Sequence, residues 1–255
     1  MIASLSTQHR VLSEVAERQM RKWALQREAQ QREAEKRSAR PLPRLIHPYL
    51  AISRETGADA GELAQAVAAK CGWKVFDREL LDYLVEHDQR SRLALEFVDE
   101  RARSWFHEMF GKWLEKQLIS QAEYVIRLRQ VALLAAQHES TVFVGRGVQF
   151  MLPRANGISA RIIAPKTNRV KRIMDKRHVG MREAEKFVDD TDRGRAQFVQ
   201  QYFHCDVADP HLYDLVINLE HVPRDTAVDL IASECHRRET ATMAGSQAVV
   251  RSASD

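Results

Sequence analysis

Cysteine is scarce: Cys71, Cys205 and Cys235 are the three in 255 residues. Their spacing fits neither a metal site nor a disulfide framework. A reducing compartment is implied, and a cytoplasmic location is expected. No apolar run is long enough to span a bilayer, which argues against a membrane protein. The segment 1–7 is short and soon followed by charge, so a signal peptide is not expected. No segment repeats. Glycine and proline are missing from His9 to Arg40, so nothing there breaks a helix. Excess charge is missing from most of the chain. Of the net +4, residues 1–46 carry ten Lys/Arg against five Asp/Glu, and the remainder is close to neutral. A broad nucleic-acid surface on the main domain is therefore not expected.

The basic arm is rich in Gln, Glu, Arg and Ala. Its apolar positions, Leu12, Val15, Met20, Trp23 and Leu25, thin out after the first half, so a sustained heptad seam is absent. A solvated helix is expected, packing its first half on the domain, on a protein partner or on a second copy through residues 9–40. An arm for nucleic acid or a membrane surface is the alternative. Arg40-Pro-Leu-Pro-Arg44 reads as an extended linker. The expected organisation is therefore an arm and linker over 1–44, a domain over 45–237, and a small, polar, disordered tail over 238–255.

Within the domain, strands are expected at Tyr49–Ser53, Lys74–Asp77, Thr141–Val144, Arg161–Ala164 and Leu215–Asn218. Helices are expected from Glu62 to Gly72, Arg78 to His87, Lys166 to Arg177, Met181 to Tyr202 and Pro223 to Arg237, and through most of Arg90–Gln137. Trp105, Phe106, Phe110 and Trp113 in that long stretch read as helix packing rather than base stacking. Alternating strands and helices indicate an α/β fold with a parallel sheet. Ligands of such sheets bind at the carboxyl ends of the strands. The Gly57 turn, Asp77 and Gly145-Arg-Gly147 all fall there.

The segment Ala51-Ile-Ser-Arg-Glu-Thr-Gly-Ala-Asp-Ala-Gly-Glu-Leu-Ala64 reads as strand, glycine turn and helix start. Free N–H groups at such a helix start attract an anion. A phosphate-binding loop of the form G-x-x-x-x-G-K-[ST] adds a lysine for the phosphates and a hydroxyl for magnesium. Here Gly57 and Gly61 are four apart, and Glu62-Leu63 replace Lys and Ser/Thr. A plain strand–turn–helix stays open as the alternative reading.

Six segments in order resemble the cytidylate kinase-like family of P-loop nucleoside monophosphate kinases. They are Ile52-Ser-Arg-Glu with Gly57 and Glu62-Leu-Ala64; Phe76-Asp-Arg-Glu-Leu80; Val144-Gly-Arg-Gly147; Arg169, Arg172 and Glu183-Ala184; Asp189-Asp-Thr-Asp-Arg-Gly-Arg195; and Tyr213-Asp-Leu-Val-Ile-Asn218. The resemblance covers about Leu50 to Ile231. It implies a P-loop kinase-like three-layer α/β fold with a parallel sheet and a helical lid at about 175–203. The arm is then an N-terminal helical extension.

The resemblance also implies roles. Arg54, Thr56, Gly57, Ala58, Asp59, Ala60, Gly61 and Glu62 would cradle the phosphates of ATP, with Mg2+ as second cofactor. Asp77, Gly145, Arg146 and Gly147 would hold a nucleotide substrate by its monophosphate. Arg146, Arg193 and Arg195 would neutralise the transferring phosphoryl group. Each has a plainer reading: Arg146 as a surface ion pair, Asp77 as a helix cap, Arg193 and Arg195 as a solvated helix face, and Arg54 as a structural ion pair rather than a substitute for the missing lysine. Asp59 would either oppose phosphate or hold magnesium. The chain departs from the family pattern at Asp59, Ala60 and Gly61 in the loop. It departs again at Val144 and Gly147 beside the central arginine, and at Val188 and Thr191 in the lid. The implied activity is phosphoryl transfer to a CMP-like acceptor. The alternative is a degenerate kinase fold that binds a nucleotide or, through its arm, a protein.

Overall fold

The computed structural model describes residues 46–87 and 119–252. The expected arm, the aromatic cluster at 105–113 and the first part of the long helical stretch lie outside the described residues.

The described residues form two compact units. The larger holds Ile46–Asp77 and the chain from Glu139 onward. Its strands are β1 (Tyr49–Arg54), β2 (Lys74–Phe76), β3 (Thr141–Val144), β4 (Gly157–Ile163) and β5 (Leu215–Asn218). Its helices are α1 (Ala60–Cys71), α4 (Lys166–Arg177), α5 (Met181–Phe203) and α6 (Arg224–Ser252). The other unit holds α2 (Arg78–His87) and α3 (Ile119–His138). These two helices pack together, and the Tyr124 hydroxyl donates to Asp82 at 2.5 Å.

All strand pairs are parallel, in the order β2-β3-β1-β4-β5. β1 is apolar on both faces because it lies in the middle of the sheet. Leu50, Ile52, Val142, Val144, Ile158, Ala160, Ile162 and Ile217 turn to one face. There they bury Leu63, Ala64 and Val67 of α1 and Ala227, Val228 and Ile231 of α6. Small residues on α1 let that helix sit close to the strands, so the loop before it is held rigidly.

On the opposite face, Tyr49 is 1% exposed and donates to the Leu152 carbonyl at 3.3 Å. Burial pushes its hydroxyl pKa up to about 12. Gly157 gives this ring its space, since a Cβ there would overlap it.

Helix ends follow the expected chemistry. Gly72 closes α1 in the left-handed conformation at φ 71°, and Lys70 lies in the last turn. The closing helix departs from expectation. It continues past Arg237 to Ser252, where a disordered tail was anticipated. Ala, Glu, Gln, Met and Arg in this stretch are good helix formers, so a small and polar composition is compatible with a helix. The Thr240 and Thr242 hydroxyls bond back to the carbonyls four residues earlier, which removes their competition with the helix.

Candidate functional site

In the order 2-3-1-4-5 the chain leaves β1 toward one edge and β3 toward the other. The crevice between their carboxyl ends is the topological switch point, where ligands of open parallel sheets bind. Two turns meet there, one from each strand.

The turn after β1 is the glycine loop. Gly57 has φ 81°, and Asp59 stands in the left-handed conformation at φ 57° before α1. A Cβ on Gly57 would lie 2.7 Å from the Arg169 carbonyl oxygen. Only glycine fits between the loop and α4. The Asp59 side chain does not cap α1. Instead it pairs with Lys176 at 2.7 Å and Arg172 at 3.3 Å. Glu62 pairs with Lys176 at 3.1 Å and Arg224 at 2.8 Å. Lys176 is held charged above its usual range, mainly by its hydrogen bond to Asp59. The acids that replace the usual loop chemistry are therefore neutralised by cations from α4 and α6. Ala58 and Ala60 are buried, whereas Glu62 is exposed.

Arg169 fastens the loop from below. Its side chain is 9% exposed and ion-pairs with Glu55 at 3.3 Å and Asp192 at 2.7 Å. Its guanidinium also donates to the carbonyls of Ala164 and Thr56. Asp192, on α5, accepts from the Thr56 backbone N–H at 2.8 Å and from its hydroxyl at 2.7 Å. A carboxylate thus engages the first donors of the loop.

The turn after β3 is Gly145-Arg146-Gly147, three successive left-handed residues at φ 89°, 57° and 67°. For Arg146 this conformation is strained, and such strain concentrates at functional sites. A Cβ on Gly147 would lie 2.5 Å from Phe203 Cε2. The Arg146 guanidinium sits 5.7 Å from the Phe198 ring on α5. The guanidinium of Arg54, at the end of β1, lies against Gly145. Arg195 donates to the Arg54 carbonyl at 3.0 Å.

The structure thus brings Arg54, Arg146 and Arg195 together around the ends of β1 and β3. Arg193 is elsewhere: it is 65% exposed and pairs with Asp190 in its own helix. Residues two apart on a helix point roughly 200° away from each other, so both arginines cannot face one crevice. Asp77 directly follows β2, the edge strand beside β3.

A buried arginine on β4, beside the end of β1, was not singled out in the sequence. Arg161 on β4 is 9% exposed, donates to Ser53 Oγ at 3.1 Å and lies 5.7 Å from the Tyr213 ring. Tyr213 also donates to Ser53, at 3.3 Å. Among the described residues no carboxylate pairs with Arg161. A lone arginine inside the apolar run Gly157-Ile-Ser-Ala-Arg-Ile-Ile163 was the available signal. Asp192 was visible as part of the lid run, but nothing marked it among its acidic neighbours.

A parallel sheet in this order, a glycine loop leading into a helix, and a helical segment reaching back to that loop define a P-loop kinase-like protein. The chain belongs to the cytidylate kinase-like family, which matches residues 49–221. A crystal structure of an uncharacterized protein from Eubacterium ventriosum ATCC 27560 is similar, with TM-score 0.61 and 25% identity over 75% of this chain and 99% of that one. TT1252 from Thermus thermophilus gives TM-score 0.45 and 17% identity, covering 74% of this chain and 98% of that one. Shikimate kinase from Bacteroides thetaiotaomicron gives 0.41 and 14%, with the same coverage. No curated protein matches. No helix among the described residues is long and apolar enough to cross a membrane.

Proposed function

We propose that this protein transfers a phosphoryl group from ATP to a nucleoside monophosphate or a similarly small phosphorylated acceptor. The observation that carries this reading is the group of arginines at the switch point, Arg54, Arg146 and Arg195, beside a glycine loop. On the neighbouring strand β4, the Arg161 guanidinium is buried with Ser53 as its hydrogen-bond partner, and a buried cation favours an anion nearby. The left-handed loop, with Arg169, Arg172 and Lys176 within bonding reach of it, is chemically suited to a triphosphate. ATP with magnesium, when bound, supplies the transferable group and offsets part of its charge. The Thr56–Glu62 backbone would hold the donor phosphates, and the Thr56 hydroxyl and Asp192 carboxylate, hydrogen-bonded to each other, would offer hard oxygens to magnesium beside them. Arg146 would grip the acceptor phosphate, Gly145 and Gly147 shaping its turn. Arg195 would steady charge from α5.

A thermal-shift titration with ATP, ADP and each monophosphate, with and without magnesium, tests this. Saturating a site a hundredfold above Kd stabilises the protein by about 2.7 kcal/mol. Shifts with ATP and with one monophosphate are expected. Arg146→Met is expected to weaken the monophosphate roughly 10–100-fold, the worth of one charged hydrogen-bonding group, and to leave ATP alone. An unchanged monophosphate response in that variant would remove Arg146 from the acceptor role.

One observation favours the second reading, a degenerate kinase fold that binds without catalysis. Protein side chains already meet the loop's polar groups, with Asp192 on Thr56 and cations on Asp59 and Glu62. Gly61→Arg separates the two. No atom lies within 4 Å of a Cβ at Gly61, so the side chain fits. If activity exists and the change leaves it equal or lower, the loop works by its own chemistry. If activity appears only in the variant, the fold has decayed from catalysis.

A further inference from the structure

The three free cysteines are not equivalent. Cys71 is the last residue of α1 and is half-buried, whereas Cys235 on α6 is fully buried. The two lie 164 positions apart in sequence, so no spacing rule would pair them. Yet α1 and α6 pack side by side, pinned by Glu62–Arg224 at one end and Lys70–Asp229 further along. Cys71 packs against the apolar cluster that contains Cys235. The ion pair of Lys70, next to Cys71, with Asp229 on α6 keeps this end of α1 against the helix that carries Cys235. Cys205 lies apart, with its thiol donating to the Phe203 carbonyl.

We propose that Cys71 and Cys235 form a reversible disulfide on exposure to hydrogen peroxide, with Cys71 as the attacking sulfur and Cys235 as the resolving one. Access sets the order, because only Cys71 reaches the surface. The electrostatics agree. The neighbouring Cys235 side chain holds the Cys71 thiol below its usual range, and the adjacent Lys70 works in the same direction. Cys71, together with burial, pushes the Cys235 thiol up.

In the first step the Cys71 thiolate attacks one peroxide oxygen. The O–O bond breaks, Cys71 becomes a sulfenic acid, and the departing hydroxide takes up a proton to become water. In the second step Cys235 sulfur attacks Cys71 sulfur. The S–O bond breaks, and hydroxide leaves as water with the proton Cys235 has lost. Two thiols are oxidised, and one peroxide is reduced to two waters. The sulfurs must close to about 2.05 Å. Cys71 stands at the end of its helix, before the open glycine cap, where its side chain can adjust.

The consequence falls on α1. That helix begins at the phosphate loop, and the bond would fasten its far end to α6. The inference concerns the thiols alone and stands whether or not the protein transfers phosphate.

Intact protein is treated with hydrogen peroxide, its free thiols are alkylated, and it is digested with trypsin without reduction. The expected product joins the peptides 71–74 and 225–237 with a loss of about 2 Da, and dithiothreitol reverses it. Cys205 remains alkylated. In Cys235→Ser, the Cys71 sulfenic acid is expected to persist and to be trapped by dimedone. In Cys71→Ser, Cys235 is expected to stay reduced. Sulfinic or sulfonic acid on Cys71 with Cys235 still a thiol would overturn the inference, as would a bond involving Cys205. The wild-type digest is decisive by itself, even if a serine variant folds poorly.

Discussion

Replacing Arg169 by Met is expected to lower stability by about 3 kcal/mol, the low end for removing one partner of a buried ion pair. For a protein of this length that corresponds to a fall in Tm of roughly 6–12 °C. The guanidinium ties four separate places together: the Ala164 and Thr56 carbonyls, Glu55 and Asp192. Met fills similar space but takes one donor from each of two carboxylates and two carbonyls, while Asp192 keeps Thr56 and Glu55 keeps the Ala164 N–H. The carboxylates are about a quarter exposed, so water recovers part of the loss, which is why the low end applies. Arg169→Lys keeps the charge but cannot reproduce the fork, and it is expected to recover only part of the stability. Combining Arg169→Met with Asp192→Asn should cost less than the sum of the two, because the second change removes one of the charges that lost the guanidinium. A Tm for Arg169→Met within a degree of the wild type would show that the loop is held by something else.

Much of this arrangement was readable beforehand, because local chemistry fixes it. The apolar run before Gly57, the cap at Gly72 and the break before Lys166 placed β1, α1 and α4 within a residue or two. The parallel sheet followed from alternation. The Gly145-Arg-Gly147 turn was legible as a turn because two glycines flank one residue at a strand end. Partners across long sequence distances were not legible. Arg169 meets Thr56 across 113 residues, and Asp192 meets it across 136. Nothing local distinguishes Asp192 from Asp189 or Asp190. Only the helical phase of α5 turns Asp192 and Arg195 toward the loop and leaves Arg193 in solvent. The missing loop lysine also looked like a bare loss of charge. In the fold, cations of two other helices, Lys176, Arg172 and Arg224, pair with the loop acids Asp59 and Glu62.

The two loop glycines should respond in opposite directions to the same added methyl group. Gly57→Ala places a side chain in a left-handed conformation, at about 1 kcal/mol. It also sets the new carbon 2.7 Å from the Arg169 carbonyl oxygen. That oxygen is backbone within α4 and cannot rotate away, so the loop or the helix must shift, at a further cost of about 1–3 kcal/mol. Gly61→Ala meets no atom within 4 Å, and its residue is already helical. It is expected to stabilise by up to about 1 kcal/mol, through the lower flexibility of the unfolded chain. Urea midpoints of the two variants measure the contrast directly. The functional consequence should split in the same way. Gly57 is the point where loop backbone and α4 touch, so the alanine there displaces the donors of the cradle and should abolish any stabilisation by ATP. Gly61→Ala keeps the cradle and should keep that response. Equal midpoints would mean that α4 does not shape the loop. A lost ATP response in both variants would mean that the cradle needs the bare backbone at Gly61 as well, and that the open space there belongs to the ligand.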